Sequence, residues 1–218
     1  MKRIWCNGQW LDPRDFLSSP MDRGAIHGLG LFETMLAIDG VLLFADRHFA
    51  RLRSGHEKLG WSVVLPEFRE ITAELLVKNR LNTGRARVRL TVTGGSGPIH
   101  DLAPGTDRLI WVTAFPALVP PASVSASLSP WPRNEFSPLV GLKCASYAEN
   151  LIALHHARRH GFDETIFLNT AGHLCEAATA NLFLVSDGRL FTPSLDSGCL
   201  PGITREVVLE LAAEAGIP

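Results

Sequence analysis

The chain shows no surplus of charge of either sign. Its 21 Lys and Arg stand against 22 Asp and Glu, a formal net charge of −1 over 218 residues. Nucleic-acid binders usually carry a basic excess, and none is written here. An anionic small molecule would have to be held by local positive groups, not by a general field. Long apolar runs are missing too: nothing approaches the ~20 residues that a membrane-spanning helix needs. The opening "MKRIWCNGQWLDP" has early positive charge without the apolar stretch of a secretory leader behind it. A cytoplasmic protein with no membrane or nucleic-acid partner is expected. Cysteine is scarce. Cys6, Cys144, Cys175 and Cys199 form no C-x-x-C pair, and no histidine group completes a zinc pattern. Free thiols and no metal are expected.

What is present suffices for a sizeable core, with 46% hydrophobic and 20% charged residues. "RIWCNGQWL" reads as two short strands about Asn7-Gly8, and "LFETMLAIDGVLLFA" repeats the device at Asp39-Gly40. "DRHFARLRSGHEKLG" reads as a helix with Phe49, Leu52, His56 and Leu59 on one face and Gly60 closing it. "PEFREITAELLVKNRL" is a second helix, with Pro66 near its first turn. In "RARVRLTVT", Ala86, Val88, Leu90 and Val92 face one way, and Arg87, Arg89, Thr91 and Thr93 the other. "DRLIWVTAF" is a more continuously apolar strand.

The prolines of "PALVPPAS" mark a linker over 116–122, between domains at 1–115 and 123–218. A strand over Ser123–Leu128 follows. Ser146 is placed to cap a helix, with Glu149 at the capping-box spacing. Leu151, Ile152 and Leu154 supply apolar positions, Arg158, Arg159 and His160 the last turn, and Gly161 the C′ residue. Hairpins turn at Asn169–Gly172 and Asp187-Gly188. "LPGITREVVLELAAEAG" ends in a helix with Val207, Val208, Leu211 and Ala215 on one face. Hairpins with segregated helices, in two halves, give an α+β class.

Four features carry candidate chemistry. Lys143 lies just outside a helix N-terminus; the ordinary fate of one lysine there is solvation. "PGITRE" delivers Ile203 and Thr204 to the first turn of a helix, where free amides and the positive dipole end suit phosphate. In "HLCEAATANLF", Glu176 ends a strand beside Ala177, Ala178 and Ala180, small enough for a flat ligand to approach; a solvated turn glutamate is the plain alternative. Arg51 sits one residue from a buried helical stripe, from which it either snorkels to water or reaches a phosphate. Cys144 adjoins Lys143 but has no base partner in the sequence. A lysine for an aldehyde, an acid for a pyridinium nitrogen, and a helix start plus an arginine for a phosphate are together what pyridoxal phosphate needs.

The stretches "NGQWLD", "DRGAIHGLGLFETM", "HFARL", "GLK", "ARRHGFDETIFLNTAGHLCEAATANLF", "LFTP" and "LPGITRE" resemble, in this order, the class IV (fold-type IV) aminotransferases. That family includes branched-chain and D-amino-acid aminotransferases and 4-amino-4-deoxychorismate lyase. The resemblance covers essentially the whole chain. It implies a two-domain D-amino-acid aminotransferase-like fold and a pyridoxal 5'-phosphate cofactor. Lys143 would be the Schiff-base lysine and general acid/base. Glu176 would pair with the pyridine nitrogen. Arg51, Ile203 and Thr204 would hold the phosphate, with Thr179 assisting. A homodimer acting on an amino acid or on aminodeoxychorismate is implied.

Side positions resemble the lyase of folate biosynthesis more than the transaminases. "YAEN" follows the "GLK" motif, and "FETM" fits as well. Gly94 stands where D-amino-acid enzymes tend to carry a carboxylate-trapping arginine. His27-Gly28 departs from many relatives, with no role assigned. The polar strand face with Arg87 and Arg89 either meets substrate carboxylates or is solvated. The resemblance also implies strands and a Thr/Ser-Gly loop beyond "AAEAGIP", so the C-terminal part reads as truncated. A branched-chain or D-amino-acid transaminase, and a non-catalytic truncated family member, stand as the alternatives.

Overall fold

The strand with the cleanest alternation lies inside a six-stranded sheet. The computed structural model describes residues 2–62 and 64–218, which divide into two compact units, 1–120 with 143–146, and 121–142 with 147–218.

The first unit contains β1 (Ile4–Cys6), β2 (Gln9–Leu11), α1 (Arg23–His27), β3 (Gly30–Ile38), β4 (Val41–Leu42), α2 (Ala45–Lys58), α3 (Phe68–Lys78), β5 (Arg85–Thr93) and β6 (Ile110–Pro116). Its antiparallel sheet runs β2-β1-β6-β5-β3-β4. The turns at Asn7-Gly8 (φ 44° and 87°) and Asp39-Gly40 (φ 48° and 82°) have both central residues at positive φ, as two-residue hairpins require. Ala86, Val88, Leu90 and Val92 are wholly buried on the apolar face of β5. Register places them opposite Ala37, Met35, Glu33 and Leu31 of β3. Helix α2 packs on β3, and α3 on β6 and β1. Leu52, Phe68, Leu75 and Leu76 are large apolar side chains that these helices bury, each worth roughly 1.5–3 kcal/mol on burial.

A buried arginine organises the loop after β5. Arg23 donates Nε to the Gly95 carbonyl at 3.0 Å and Nη2 to those of Gly94 and Ala103 at 2.9 and 2.6 Å. Its Nη1 donates to the Asp101 carbonyl. Next to it, Asp22 caps α1 by accepting from Gly24 N and also accepts from Thr93 Oγ1, both at 2.7 Å.

The second unit contains β7 (Ala126–Leu128), α4 (Ala148–Arg159), β8 (Glu164–Leu168), β9 (Leu174–Ala177), β10 (Leu184–Ser186), β11 (Arg189–Phe191) and α5 (Ile203–Glu214). Strands β7 and β8 are parallel, β8 and β9 antiparallel, and β10-β11 form a hairpin across Asp187-Gly188. Ala153, Phe167, Cys175, Ala178 and Cys199 form the core.

Three local expectations are corrected here. Helix α4 is capped by Tyr147 with no side-chain cap bond, so Ser146 and Glu149 form no capping box. Ala145 N instead donates to the Gly30 carbonyl at 2.7 Å, and the helix begins only at Ala148. Helix α4 buries Asn150, Ala153 and Ala157 and leaves Leu151 and Ile152 exposed. Its inner face needs small residues to lie close on β8. Helix α5 buries Ile203 and Ala212, while Leu211 is exposed.

Candidate active site

Lys143 reaches its place by strand pairing rather than by local sequence. Strand β4 covers only Ala37 and Ile38 of β3, which leaves the other end of that edge open. The 143–146 segment fills it: Phe32 N donates to the Lys143 carbonyl at 2.9 Å, and Leu31 bridges Cys144 antiparallel. Two glycines of "HGLGLF" make the room. A Cβ on Gly28 (φ 67°) would meet Ser146 Cα at 3.1 Å, and one on Gly30 would meet the Val92 carbonyl at 2.9 Å. This is the place of His27-Gly28 in the molecule: the end of α1, pressed on the segment that carries Lys143.

The half-buried Lys143 sets Nζ 4.6 Å from the Phe32 ring centroid. The Arg89 guanidinium lies over the same ring at 3.7 Å, with Nε donating to Thr91 Oγ1 at 3.3 Å. Amine and guanidinium therefore share one aromatic ring, a cation–π arrangement. Arg87 is exposed on the same strand face.

Arg51 neither snorkels nor stands alone. It donates Nε and Nη2 to the two oxygens of Glu33 at 2.8 and 2.6 Å, and His48 Nδ1 meets Glu33 Oε2 at 2.7 Å. Glu33 is 1% exposed. Burial alone would raise its carboxyl, but the hydrogen bonds from Arg51 and then His48, with their charges, hold it below the usual glutamate value. Lys143 and Arg51 thus meet consecutive residues of β3, Phe32 and Glu33, whose side chains leave a strand on opposite faces.

In the second unit, Glu176 lies on β9. Its Oε2 accepts from Leu200 N at 2.9 Å, and its Oε1 lies 3.3 Å from Arg133 Nη2. Arg133 stacks on Phe167 at 4.2 Å and donates to Glu149 at 2.6 Å. Asn181 Nδ2 donates to the Leu200 carbonyl at 2.8 Å, and Arg205 Nη2 to that of Pro193 at 2.9 Å. These bonds latch the loop entering α5, so Glu176 and the α5 start are tied through Leu200. Gly202 is the N-cap, with no side-chain cap bond. A Cβ there would fall 1.8 Å from Asn181 Oδ1, so any larger residue would have to displace the Asn181 amide that holds the Leu200 carbonyl. Ile203 is buried and Thr204 exposed in the first turn. Thr179 Oγ1 donates to Glu164 Oε2 at 2.5 Å. The Ala178 carbonyl accepts from Tyr147 Oη at 2.9 Å and from Asn150 Nδ2 at 2.7 Å, which fixes the small-residue loop.

Sequence reasoning missed Glu33, His48, Arg133, Tyr147 and Asn150 as parts of this arrangement. Glu33 had one signal, a carboxylate inside an otherwise apolar strand. The others declare themselves only through partners distant in sequence.

The family model of class IV amino-transferases matches residues 30–218. The chain belongs to that family. The aminodeoxychorismate lyase of Bacillus subtilis (strain 168) is 30% identical over 98% of this chain and 76% of its own length. The branched-chain-amino-acid aminotransferase of Salmonella typhimurium is 32% identical over 98% of this chain and 74% of its own. The crystal structure of the Escherichia coli branched-chain aminotransferase superposes with a TM-score of 0.89 at 29% identity, covering 99% of this chain and 75% of that one. The fold is therefore fold type IV, and the chain spans about three quarters of the length of these relatives.

A class IV aminotransferase is a pyridoxal-phosphate enzyme. In chemical kind, the residues that each unit offers fit that cofactor. Lys143 offers an amine for an aldehyde, and Glu176 a carboxylate oriented by a backbone amide. The start of α5, uncapped by any side chain, suits a phosphate. No helix among the described residues is long and apolar enough to cross a membrane.

Proposed function

We propose that this chain is an aminodeoxychorismate lyase, converting 4-amino-4-deoxychorismate to 4-aminobenzoate and pyruvate in folate biosynthesis. The observation that carries the reading is the Lys143 amine and the Arg89 guanidinium on one ring, Phe32, at 4.6 and 3.7 Å. A fixed cation beside an amine that moves a proton can hold a carboxylate-bearing substrate in line with it. Gly94, in place of a carboxylate-trapping arginine, argues against D-amino-acid transamination.

Lys143 would hold the cofactor through its aldehyde and would move the proton at the substrate α-carbon. Glu176 would hold the ring nitrogen in its protonated form. Arg51, oriented by Glu33, would serve the phosphate, as would the amides of Ile203 and Thr204 and the Thr179 side chain. The cofactor, when bound, supplies the electron sink. The enzyme works as a cytoplasmic homodimer, and a monomer by sedimentation would contradict the dimer.

A branched-chain transaminase is the second reading, because the Salmonella typhimurium enzyme and the lyase are similarly close, at 32% and 30% identity. The deciding experiment supplies pyridoxal phosphate and either aminodeoxychorismate or a branched-chain amino acid with 2-oxoglutarate. Stoichiometric release of 4-aminobenzoate and pyruvate supports the lyase. Keto-acid formation without it selects the transaminase. Neither product selects a non-catalytic family member.

A further inference from the structure

The last turn of α4 carries a histidine pair that the proposed chemistry does not use. His156 and His160 lie one helical turn apart with ring centroids 4.4 Å apart. They line an open depression of about 280 Å³ with Trp131, Ile152, His155 and Arg159. His160 Nδ1 lies 2.8 Å from the His156 carbonyl. A carbonyl only accepts, so Nδ1 carries the proton and Nε2 keeps its lone pair. That is the orientation metal-ligating histidines adopt, with the other ring nitrogen donating to a backbone carbonyl. The helix C-terminus adds a partial negative charge that favours a cation.

From this geometry we propose that His156 and His160 form a surface site for an imidazole-preferring divalent transition-metal ion, of the Zn2+, Ni2+ or Cu2+ class. Side chains one helical turn apart share a helix face, and the two rings lie close enough for one ion to draw a nitrogen from each. Among the described residues no three His, Cys, Asp or Glu groups gather to hold a metal ion, so water completes the coordination. The absence of a carboxylate from the lining selects against Mg2+ and Ca2+, which want hard oxygen ligands. Imidazole nitrogen binds the later transition ions, Cu2+ most tightly.

Trp131 makes the site readable, because its ring lies edge-on to His156 at 5.4 Å. Cu2+ is titrated into the full chain and tryptophan fluorescence followed for wild type, Trp131→Phe, His156→Gln and His160→Gln. Circular dichroism verifies folding. The expected result is saturable quenching at one equivalent that is missing in Trp131→Phe, with half-saturation raised at least about tenfold in each histidine variant. Zn2+ calorimetry should give the same stoichiometry and the same loss. Quenching unchanged in the histidine variants, or retained in Trp131→Phe, overturns the site. The readout needs no turnover, so its failure leaves the proposed activity untouched.

Discussion

Arg51 and Glu33 form a two-point ion pair inside the first unit, Nε to Oε1 at 2.8 Å and Nη2 to Oε2 at 2.6 Å. A carboxylate 1% exposed between apolar strand neighbours survives only because these bonds and His48 compensate its desolvation. Removing one partner strands the other. Glu33→Ala should cost about 3–5 kcal/mol in urea unfolding. The pair's contribution is present above the ordinary glutamate value and fades as pH falls through the depressed native one. Wild type should therefore lose stability in that acidic range, and Glu33→Ala should not.

Arg23 offers a second test. Its guanidinium is 2% exposed and ties the carbonyls of Gly94, Gly95, Asp101 and Ala103. Arg23→Ala leaves those acceptors without it, at about 3 kcal/mol or more. Hydrogen exchange should show lost protection over 94–105 first, with the central strands β3 and β5 still protected. Uniform loss across the unit would contradict the loop-organising role.

His56 supplies a pH signature. Burial, and then the charge of Arg108, pull its imidazole down to about 4, and neither ring nitrogen has a hydrogen-bond partner among the described residues. The ring is therefore neutral at pH 7. The unfolded chain binds a proton near 6.5 that the native state refuses until about 4. Stability should be full above 6.5 and fall progressively between those values. His56→Leu should leave stability at pH 7 nearly unchanged and flatten that stretch of the profile, as read by denaturant melts at pH 7 and 5.

Thiol reactivity should single out Cys144. Burial pushes the Cys175 thiol up to about 12 and raises Cys6 and Cys199 as well, while Cys144 is half-buried. Ellman's reagent should find one accessible thiol in the native chain and four in denaturant. The native signal should vanish in Cys144→Ser.

The hairpins were legible because a type I′ turn demands positive φ at both central positions, and Asn-Gly and Asp-Gly tolerate it. Strand β5 was legible because its two faces meet different surroundings. Helix faces were not. Leu151 and Ile152 look like core, yet the tight approach of α4 to β8 buries Ala153 and Ala157. The candidate site was readable as residue types only. That Lys143 returns to the open edge of β3, and that Arg51 finds a carboxylate 18 positions earlier, are long-range pairings that no local pattern records.

The central claim is that Lys143 bonds the cofactor. Its most direct test is the absorption spectrum of the purified chain with pyridoxal phosphate, for wild type and Lys143→Ala, before and after borohydride. The account predicts a visible band in wild type that borohydride bleaches, a fixed adduct on the Lys143 peptide by mass spectrometry, and neither in the variant. A wild-type chain with no band, or an adduct at another lysine, would contradict it.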